Sequence, residues 1–409
     1  MSDLKATLER LYARAPLGRR LGLERVQAAC HRFGNPERAF TAVHIAGTNG
    51  KGTVAAFVAA MGRAAGLKIG LYTSPHLHRF AERIVIDGSP VDESVLVPLL
   101  DRVMDVGPDL TYFEIATVAA FIAFRDAGVQ LAVLETGLGG RLDATNVIPP
   151  PLVAAITRVS FDHMAELGDT LAKIAGEKAG IIKPGSAVVT GKLHPEARAV
   201  VEQKVQEVGA RLVQLGSPEP IPGTPLAYPR VALVGTNLAV AVTIGRELGW
   251  SPEALARGVE NTTWPGRNEL LHRNGQELTL LDCAHNPDGA VALSHSLDPT
   301  VLADIESRRE IALVFGALST KNWRSMLRRL EHVAGNRIFV APPLSRAVDP
   351  NEMLAVASGE VAPNVEQALE RARTIVGPKG LVVVTGSTFL VGAARSILLN
   401  LPTDPAVDL

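Results

Sequence analysis

From about Ala39 the chain alternates between short, β-branched apolar runs and longer runs with helical spacing. AFTAVHIAG, LKIGLYT, QLAVLETG and LVAAIT each read as a strand, and the Ala-rich stretch Thr53–Ala65 after the first reads as a helix. None of these strands shows the every-second-residue alternation of a sheet with one wet face, which predicts parallel strands covered by helices on both sides. The same alternation resumes beyond Trp264, with ELTLLDC, a helix through Ala290, REIALVFG, RIFVAP and GLVVVTG. Two breaks fall between these stretches. One is Leu215–Val231, whose prolines exclude a long helix and allow a loop or short edge strands; the other is Trp264-Pro265-Gly266-Arg267. The expected organisation is two α/β domains, residues 1–267 and 268–409, the first built on a doubly wound, parallel-rich sheet. Pro402–Leu409 reads as a loose tail.

Length supports the division, because 409 residues exceed the roughly 250–300 at which a single core stops growing. A composition of 47% hydrophobic and 20% charged residues excludes dominant disorder. Lys plus Arg (41) balance Asp plus Glu (42), which argues against a broad nucleic-acid or anionic-membrane face and still allows a local basic pocket. Cys30 and Cys283 are the only cysteines, too few for a disulfide framework or a Cys-rich zinc site. Met1–Arg20 carries Asp3 and Glu9 among its cations, unlike a secretory signal or transit peptide, and no apolar run is long enough to span a bilayer. A cytoplasmic protein with neither nucleic acid nor membrane as partner is expected.

Chemistry concentrates where strands end. Gly47-Thr48-Asn49-Gly50-Lys51-Gly52-Thr53 lies between a strand and a helix, where glycines let backbone N–H groups approach phosphate and the helix N-terminus adds positive potential. Lys51 would face the β- and γ-phosphates, and Thr53 a metal or phosphate oxygen. The spelling departs from the standard Walker form, with Gly47 three residues before Gly50 and Gly52 between Lys51 and Thr53. A plain Gly-rich turn is the ordinary alternative, which the combination of Lys, Thr and flanking elements disfavours. Ser74 follows a strand, Glu135 ends one and His163 lies just past another, so a hydroxyl, a carboxylate and an imidazole converge on the ligand crevice of such a sheet. Singly, each has an ordinary reading as turn, cap or polar pair, and Lys178 by itself reads as a surface helix lysine.

Together, LGLERV (21–26), HIAGTNGKGT (44–53), YTSPHLHRFAERI (72–84), LETGLGGRLDATNVI (134–148), DHMAELG (162–168), EKAGIIKPG (177–185), WPGR (264–267), DCAHNPDG (282–289), VFGALSTKNW (314–323) and TGSTFLVGAAR (385–395) carry a family likeness over nearly the whole chain. The chain resembles the Mur ligase superfamily and, within it, the bacterial dihydrofolate synthase/folylpolyglutamate synthases. The resemblance implies an α/β fold: a P-loop-containing Mur ligase-like ATPase domain, a smaller Rossmann-like C-terminal domain and an active site between them. It implies ATP contacts from Asn49, Gly50, Lys51, Gly52, Thr53, Asn237, Arg267 and Asp282. Ser74, Glu135 and His163 are the implied magnesium ligands, and Lys178, carbamylated, supplies an anionic oxygen to a second Mg²⁺. A potassium ion belongs to the same expectation.

Lys51, Lys178 and His285 are the implied catalytic residues, with His285 and Ser387 beside the incoming glutamate. Arg20, Leu21, Gly22, Leu23, Phe113, Arg141 and Asp143 fall on the family's pteroate and folate site. Phe113 would stack on a flat heterocycle, and Asp143 would accept from an aminopyrimidine edge. LVGTNLAVAV lacks the Gly-x-His-Gln stretch usual before the adenine-side Asn, so Asn237 is the matching position without that support. The implied activity is ATP-dependent addition of L-glutamate to dihydropteroate and to the γ-carboxyl of tetrahydrofolate and its derivatives, through an acyl phosphate, by a monomer. The alternatives are a monofunctional folylpolyglutamate synthase, another Mur-type amino-acid ligase, or a nucleotide-gated binding protein without chemistry. A cell-wall ligase would carry a further N-terminal domain, whereas about 40 residues precede the loop here.

Overall fold

The computed structural model describes residues 3–14, 22–215, 229–272, 277–297 and 310–405. The first sheet contains β1 (Thr41–Ala46), β2 (Ile69–Tyr72), β3 (Ile84–Ile86), β4 (Ser89–Pro90), β5 (Leu131–Glu135), β6 (Val153–Ile156), β7 (Ala187–Thr190) and β8 (Arg211–Val213), in the order β4-β3-β2-β5-β1-β6-β7-β8. All pairs are parallel except β2–β3 and β3–β4. β5, β6 and β2 are buried along their whole length, as expected of strands covered on both faces. One face packs under Phe121 and Phe124, the other under Val58, Met61 and Ile244. The strands missed in the sequence, β3, β4, β7 and β8, have two to four residues each and leave little hydropathy signal.

The second sheet comprises β9 (Glu269–His272), β10 (Leu278–Leu281), β11 (Ile311–Phe315), β12 (Asn336–Phe339), β13 (Glu360–Val361) and β14 (Leu381–Thr385), ordered β13-β12-β11-β14-β10-β9 with only β9 antiparallel. β1, β5 and β6 lie side by side, so Ala46, Glu135 and Ile156 end at one place, and the loops after β1 and β6 meet the second domain. Most of the Pro-rich expectation at Leu215–Val231 lies outside the described residues. Its last three residues open the helix Pro229–Glu247, where proline at the first position costs no intrahelical hydrogen bond. The expected loose tail is tied down as far as it is described: Asp404 N donates to His78 O (2.9 Å) and Asp404 Oδ2 accepts from Phe80 N (2.6 Å). The second domain's C-terminal segment thereby returns to the first domain.

Candidate active site between the domains

The chain leaves β1 at Ala46, turns through Gly47–Gly50 and enters the helix Lys51–Ala64, two residues earlier than the hydrophobic pattern suggested. Gly50 precedes the helix at φ 87°, and a Cβ there would lie 2.3 Å from Asn237 Oδ1, so glycine alone allows the loop to pass Asn237. Gly52 is equally pressed, 2.8 Å from Trp264 Cζ2 for a built Cβ, which brings the interdomain WPGR segment against the loop. Lys51 Nζ donates to Gly47 O at 3.1 Å and stands 3.9 Å from Glu135 Oε1. Glu135 Oε2 accepts from Ser74 N at 3.1 Å.

Two cavities adjoin here. One, of about 240 Å³, is lined by Gly47–Thr53, Glu135, Lys178, Asn237, Arg267 and Asp282. The other, of about 360 Å³, is lined among others by Arg83, Phe113, Asp143, Lys321 and Ser387. Ser74, Pro75, Gly137, Leu138, His163 and His285 belong to both walls. Ser74 and His163, two of the expected metal donors, and His285 therefore stand where the expected nucleotide cavity, beside the glycine loop, adjoins the expected acceptor cavity.

Burial sets the protonation states. Lys178, 3% exposed near the end of the helix Leu171–Ala179, has its amine pushed down to about 7 by desolvation first and by the nearby Lys51 second. Burial raises Glu135, against the pull of Lys51, the Ser74 N–H and Arg267. Burial also raises Asp162, but Lys321 Nζ at 2.7 Å, with His163 and His285, overcomes this and holds the carboxyl well below its usual range. His285 is pushed down to about 3 by burial and then by Lys321. Its Nδ1–H donates to Cys283 O at 3.0 Å, because a carbonyl only accepts, leaving the Nε2 lone pair 3.8 Å from Asp162 Oδ2. Arg267 Nη1 is buried with no hydrogen-bond partner among the described residues, on the wall of the nucleotide cavity, a donor suited to a phosphate oxygen. Asp282 follows β10 and accepts from Asn268 N and Ala284 N, each at 2.9 Å.

Several expected residues make further contacts, and one lies elsewhere. Asn49 uses its side chain between the domains: Nδ2 donates to Asn286 Oδ1 (3.0 Å) and Asp288 Oδ2 (2.8 Å), while Asn286 Nδ2 donates back to Asn49 Oδ1 (2.9 Å). Arg141 points to the surface, 55% exposed and paired with Glu177 at 2.8 Å, away from the acceptor cavity. Asp143 does line that cavity, yet both of its oxygens already accept locally, Oδ2 from Leu138 N (2.8 Å) and Oδ1 from Thr145 N (3.0 Å) and Oγ1 (2.6 Å). Behind Thr145 stands fully buried His44, pushed down to about 3 by desolvation and then by Lys183, its Nε2 2.8 Å from Thr145 Oγ1. Arg20 and Leu21 lie outside the described residues. Gly22 lines the acceptor cavity, whereas Leu23 precedes the helix Glu24–Arg32. Ser387 lines the cavity and caps the helix Thr388–Leu399 through Phe389 N (3.2 Å). Sequence reasoning left Asp162, Lys321 and Arg83 without roles, although Lys321 and Arg83 sit inside VFGALSTKNW and YTSPHLHRFAERI.

Among the described residues no three His, Cys, Asp or Glu side chains gather to hold a metal by themselves. The donors that line the nucleotide cavity are a hydroxyl, a carboxylate, an imidazole and the Lys178 amine, and this set suits a hard divalent cation once the amine carries an anionic oxygen. No helix among the described residues is long and apolar enough to cross a membrane.

A glycine cradle at the strand ends of one domain, facing a second α/β domain across a shared cleft, defines a Mur-type ATP-dependent ligase. Two family models agree: Mur ligase middle domain matches residues 45–217, and Mur ligase, glutamate ligase domain, matches 266–388. The dihydrofolate synthase/folylpolyglutamate synthase of Bacillus subtilis is 32% identical, over 95% of this chain and 97% of that one. The structure of E. coli FolC in complex with DHPP and ADP matches with a TM-score of 0.86 and 28% identity, over 96% of this chain and 98% of that one. Bifunctional folylpolyglutamate synthase/dihydrofolate synthase from Yersinia pestis, complexed with AMPPNP and Mn, gives a TM-score of 0.84 at 30% identity, over 98% and 99%. The chain belongs to the dihydrofolate synthase/folylpolyglutamate synthase family of Mur ligases.

Proposed function

We propose that the chain joins L-glutamate both to dihydropteroate and to the γ-carboxyl of tetrahydrofolate and its derivatives, using ATP. The observation that carries this reading is the shared wall, with Ser74, His163 and His285 facing the nucleotide cavity on one side and the acceptor cavity on the other. ATP would lie along Gly47–Thr53 with Lys51 at its terminal phosphates, Arg267 Nη1 on a phosphate oxygen, and Asp282 and Asn237 toward the nucleoside. Ser74, Glu135, His163 and the modified Lys178 would hold two Mg²⁺. Those ions would neutralise phosphate charge during transfer. Lys178 is suited to modification because an amine titrating at about 7 is roughly half neutral at that pH. Its lone pair then adds to CO₂, a proton leaves, and the carbamate oxygen carries the negative charge.

In the acceptor cavity Phe113 would give a flat ring a stacking face, with Gly22 on the same lining. The acceptor carboxylate attacks the γ-phosphorus. An O–P bond forms as the bond to ADP breaks, giving an acyl phosphate. The glutamate amine, entering beside Ser387 and His285, attacks the acyl carbon, and phosphate leaves. His285, its Nδ1–H donated to Cys283 O, would offer the unprotonated Nε2 as a hydrogen-bond acceptor that orients the entering amine, while the proton the amine loses passes to solvent or the departing phosphate. We place this monomeric enzyme in the cytoplasm with its substrates. The test is ADP release by the purified chain with ATP, Mg²⁺ and glutamate, offering dihydropteroate and tetrahydrofolate separately. Turnover with both is expected. Turnover with tetrahydrofolate alone would leave a monofunctional folylpolyglutamate synthase, and none with either would remove the ligase reading.

A further inference from the structure

We propose that Arg83 binds the acceptor carboxylate that becomes phosphorylated and aims it at the phosphate site, an assignment that rests on the ligase reading above. Arg83 ends the short 3-10 turn Phe80–Arg83 and leads directly into β3. The residue is 2% exposed, yet it lines the acceptor cavity together with Ser74 and Phe113. Its guanidinium carbon lies 5.6 Å from the ring centre of Phe80 and 5.2 Å from that of Tyr112. Nε–H donates to His76 Nδ1 at 2.9 Å, and this is its only side-chain hydrogen bond among the described residues, with no ion pair beside it.

A guanidinium carries five N–H donors in a rigid fork, and one of them is used here. Aromatic faces offset part of the charge but offer no hydrogen-bond acceptor of matching strength. A buried cation in that condition is costly unless an anion joins it. The neighbouring His76 is no such anion: burial, and then Arg83 itself, hold the imidazole neutral. The open side of the fork is the cavity, so the missing partner is an anionic group of the molecule that fills it.

Position selects which group. Arg83 lies on the first-domain wall with Phe113, where the acceptor ring stacks, whereas Lys321 and Ser387 form the opposite wall by which glutamate enters. Arg83 O accepts from Thr73 N at 3.1 Å, which fixes the residue beside Ser74, on the wall that both cavities share. Dihydropteroate has a single carboxylate, the one that reacts. A two-pronged contact there would fix the attacking oxygen in line with the γ-phosphorus while its second oxygen stays on Arg83.

The experiment compares wild type with Arg83→Gln and Arg83→Lys, measuring KM for dihydropteroate, tetrahydrofolate and ATP. The expected result in Arg83→Gln is a roughly ten- to hundredfold rise in KM for both acceptors, with KM for ATP unchanged and partial recovery in Arg83→Lys. Calorimetry adds a readout that needs no turnover: wild type should bind pteroate at least about tenfold more tightly than its carboxamide, and Arg83→Gln should bind the two alike. Unchanged acceptor KM overturns the assignment. So does a loss confined to tetrahydrofolate, which would put Arg83 on the non-reacting carboxylate. If both variants fail to bind an ATP analogue and so report misfolding, equal affinity of wild type for acid and carboxamide is decisive against it. Absence of ADP release by wild type, by contrast, removes the ligase reading and leaves the calorimetric comparison to judge Arg83.

Discussion

Lys178 illustrates how position rather than residue type sets reactivity. Its amine sits 3% exposed beside Lys51, so the charged form is penalised by lost hydration and by a like charge, and the group titrates near 7 instead of above 10. If it carries a carbamate that holds a metal, Lys178→Ala should lose at least about a hundredfold in kcat, with partial recovery on adding a short carboxylic acid that replaces the missing oxygens. Wild-type turnover in that variant would end the carbamate proposal. Helical spacing alone left Lys178 as one of two lysines in AKIAGEKAG, and only the family resemblance separated it from Lys173. The structure separates them physically: Lys173 pairs with Asp169 at the exposed surface, and Lys178 turns into the cleft. Arg141 is the opposite case, an expected site residue that pairs with Glu177 on the outside. Spacing places a side chain on an element, but which face looks inward depends on what packs against it.

At the scale of elements, the strand ends and the glycines between them do the positioning. Gly137, just past β5, is a clear instance. A Cβ built there would lie 2.5 Å from Phe113 Cζ, closer than real contacts allow, so the ring can hold its place only against a bare backbone. Gly137→Ala should displace Phe113 and raise the acceptor KM about tenfold, while KM for ATP stays as it was. An unchanged acceptor KM would show that Phe113 contributes no stacking surface. The apolar runs of β1, β2, β5, β6, β10, β11, β12 and β14 were legible because buried parallel strands must be apolar on both faces. The edge strands β4, β8 and β13 were not, since two or three residues at a sheet margin, largely exposed, carry no such demand. The glycine loop was legible for another reason: close approach of backbone to neighbours requires glycine, and Gly50 and Gly52 both stand against side chains that a Cβ would strike.

At the scale of the molecule one set of polar contacts between the two domains converges on one aspartate and one asparagine. Asp162 of the first domain accepts from Lys321 Nζ (2.7 Å) and from Asn286 Nδ2 (3.1 Å), Asn286 exchanges amide hydrogen bonds with Asn49, and Arg158 pairs with Asp288 at 2.6 Å. Asn286 also accepts from Gly289 N (2.8 Å) as the cap of its helix. Asn286→Asp would keep that cap and set a carboxylate against Asp162, losing on the order of 1–3 kcal/mol of interdomain contact. Small-angle scattering should then report a larger radius of gyration, with kcat lowered at least about tenfold. A variant as compact and active as wild type would mean that the clasp is incidental. By itself the sequence determined the long buried strands, that there are two α/β domains, and which loop must be built of glycine, because those follow from local hydropathy and from backbone room that only glycine leaves. Only the tertiary structure decided that Asn49 bridges the domains, that Arg83 is buried with no ion pair among the described residues, and that Lys178 lies close enough to Lys51 to feel its charge. Those outcomes depend on which side chains residues far apart in the chain bring to one point, and no local pattern encodes that meeting.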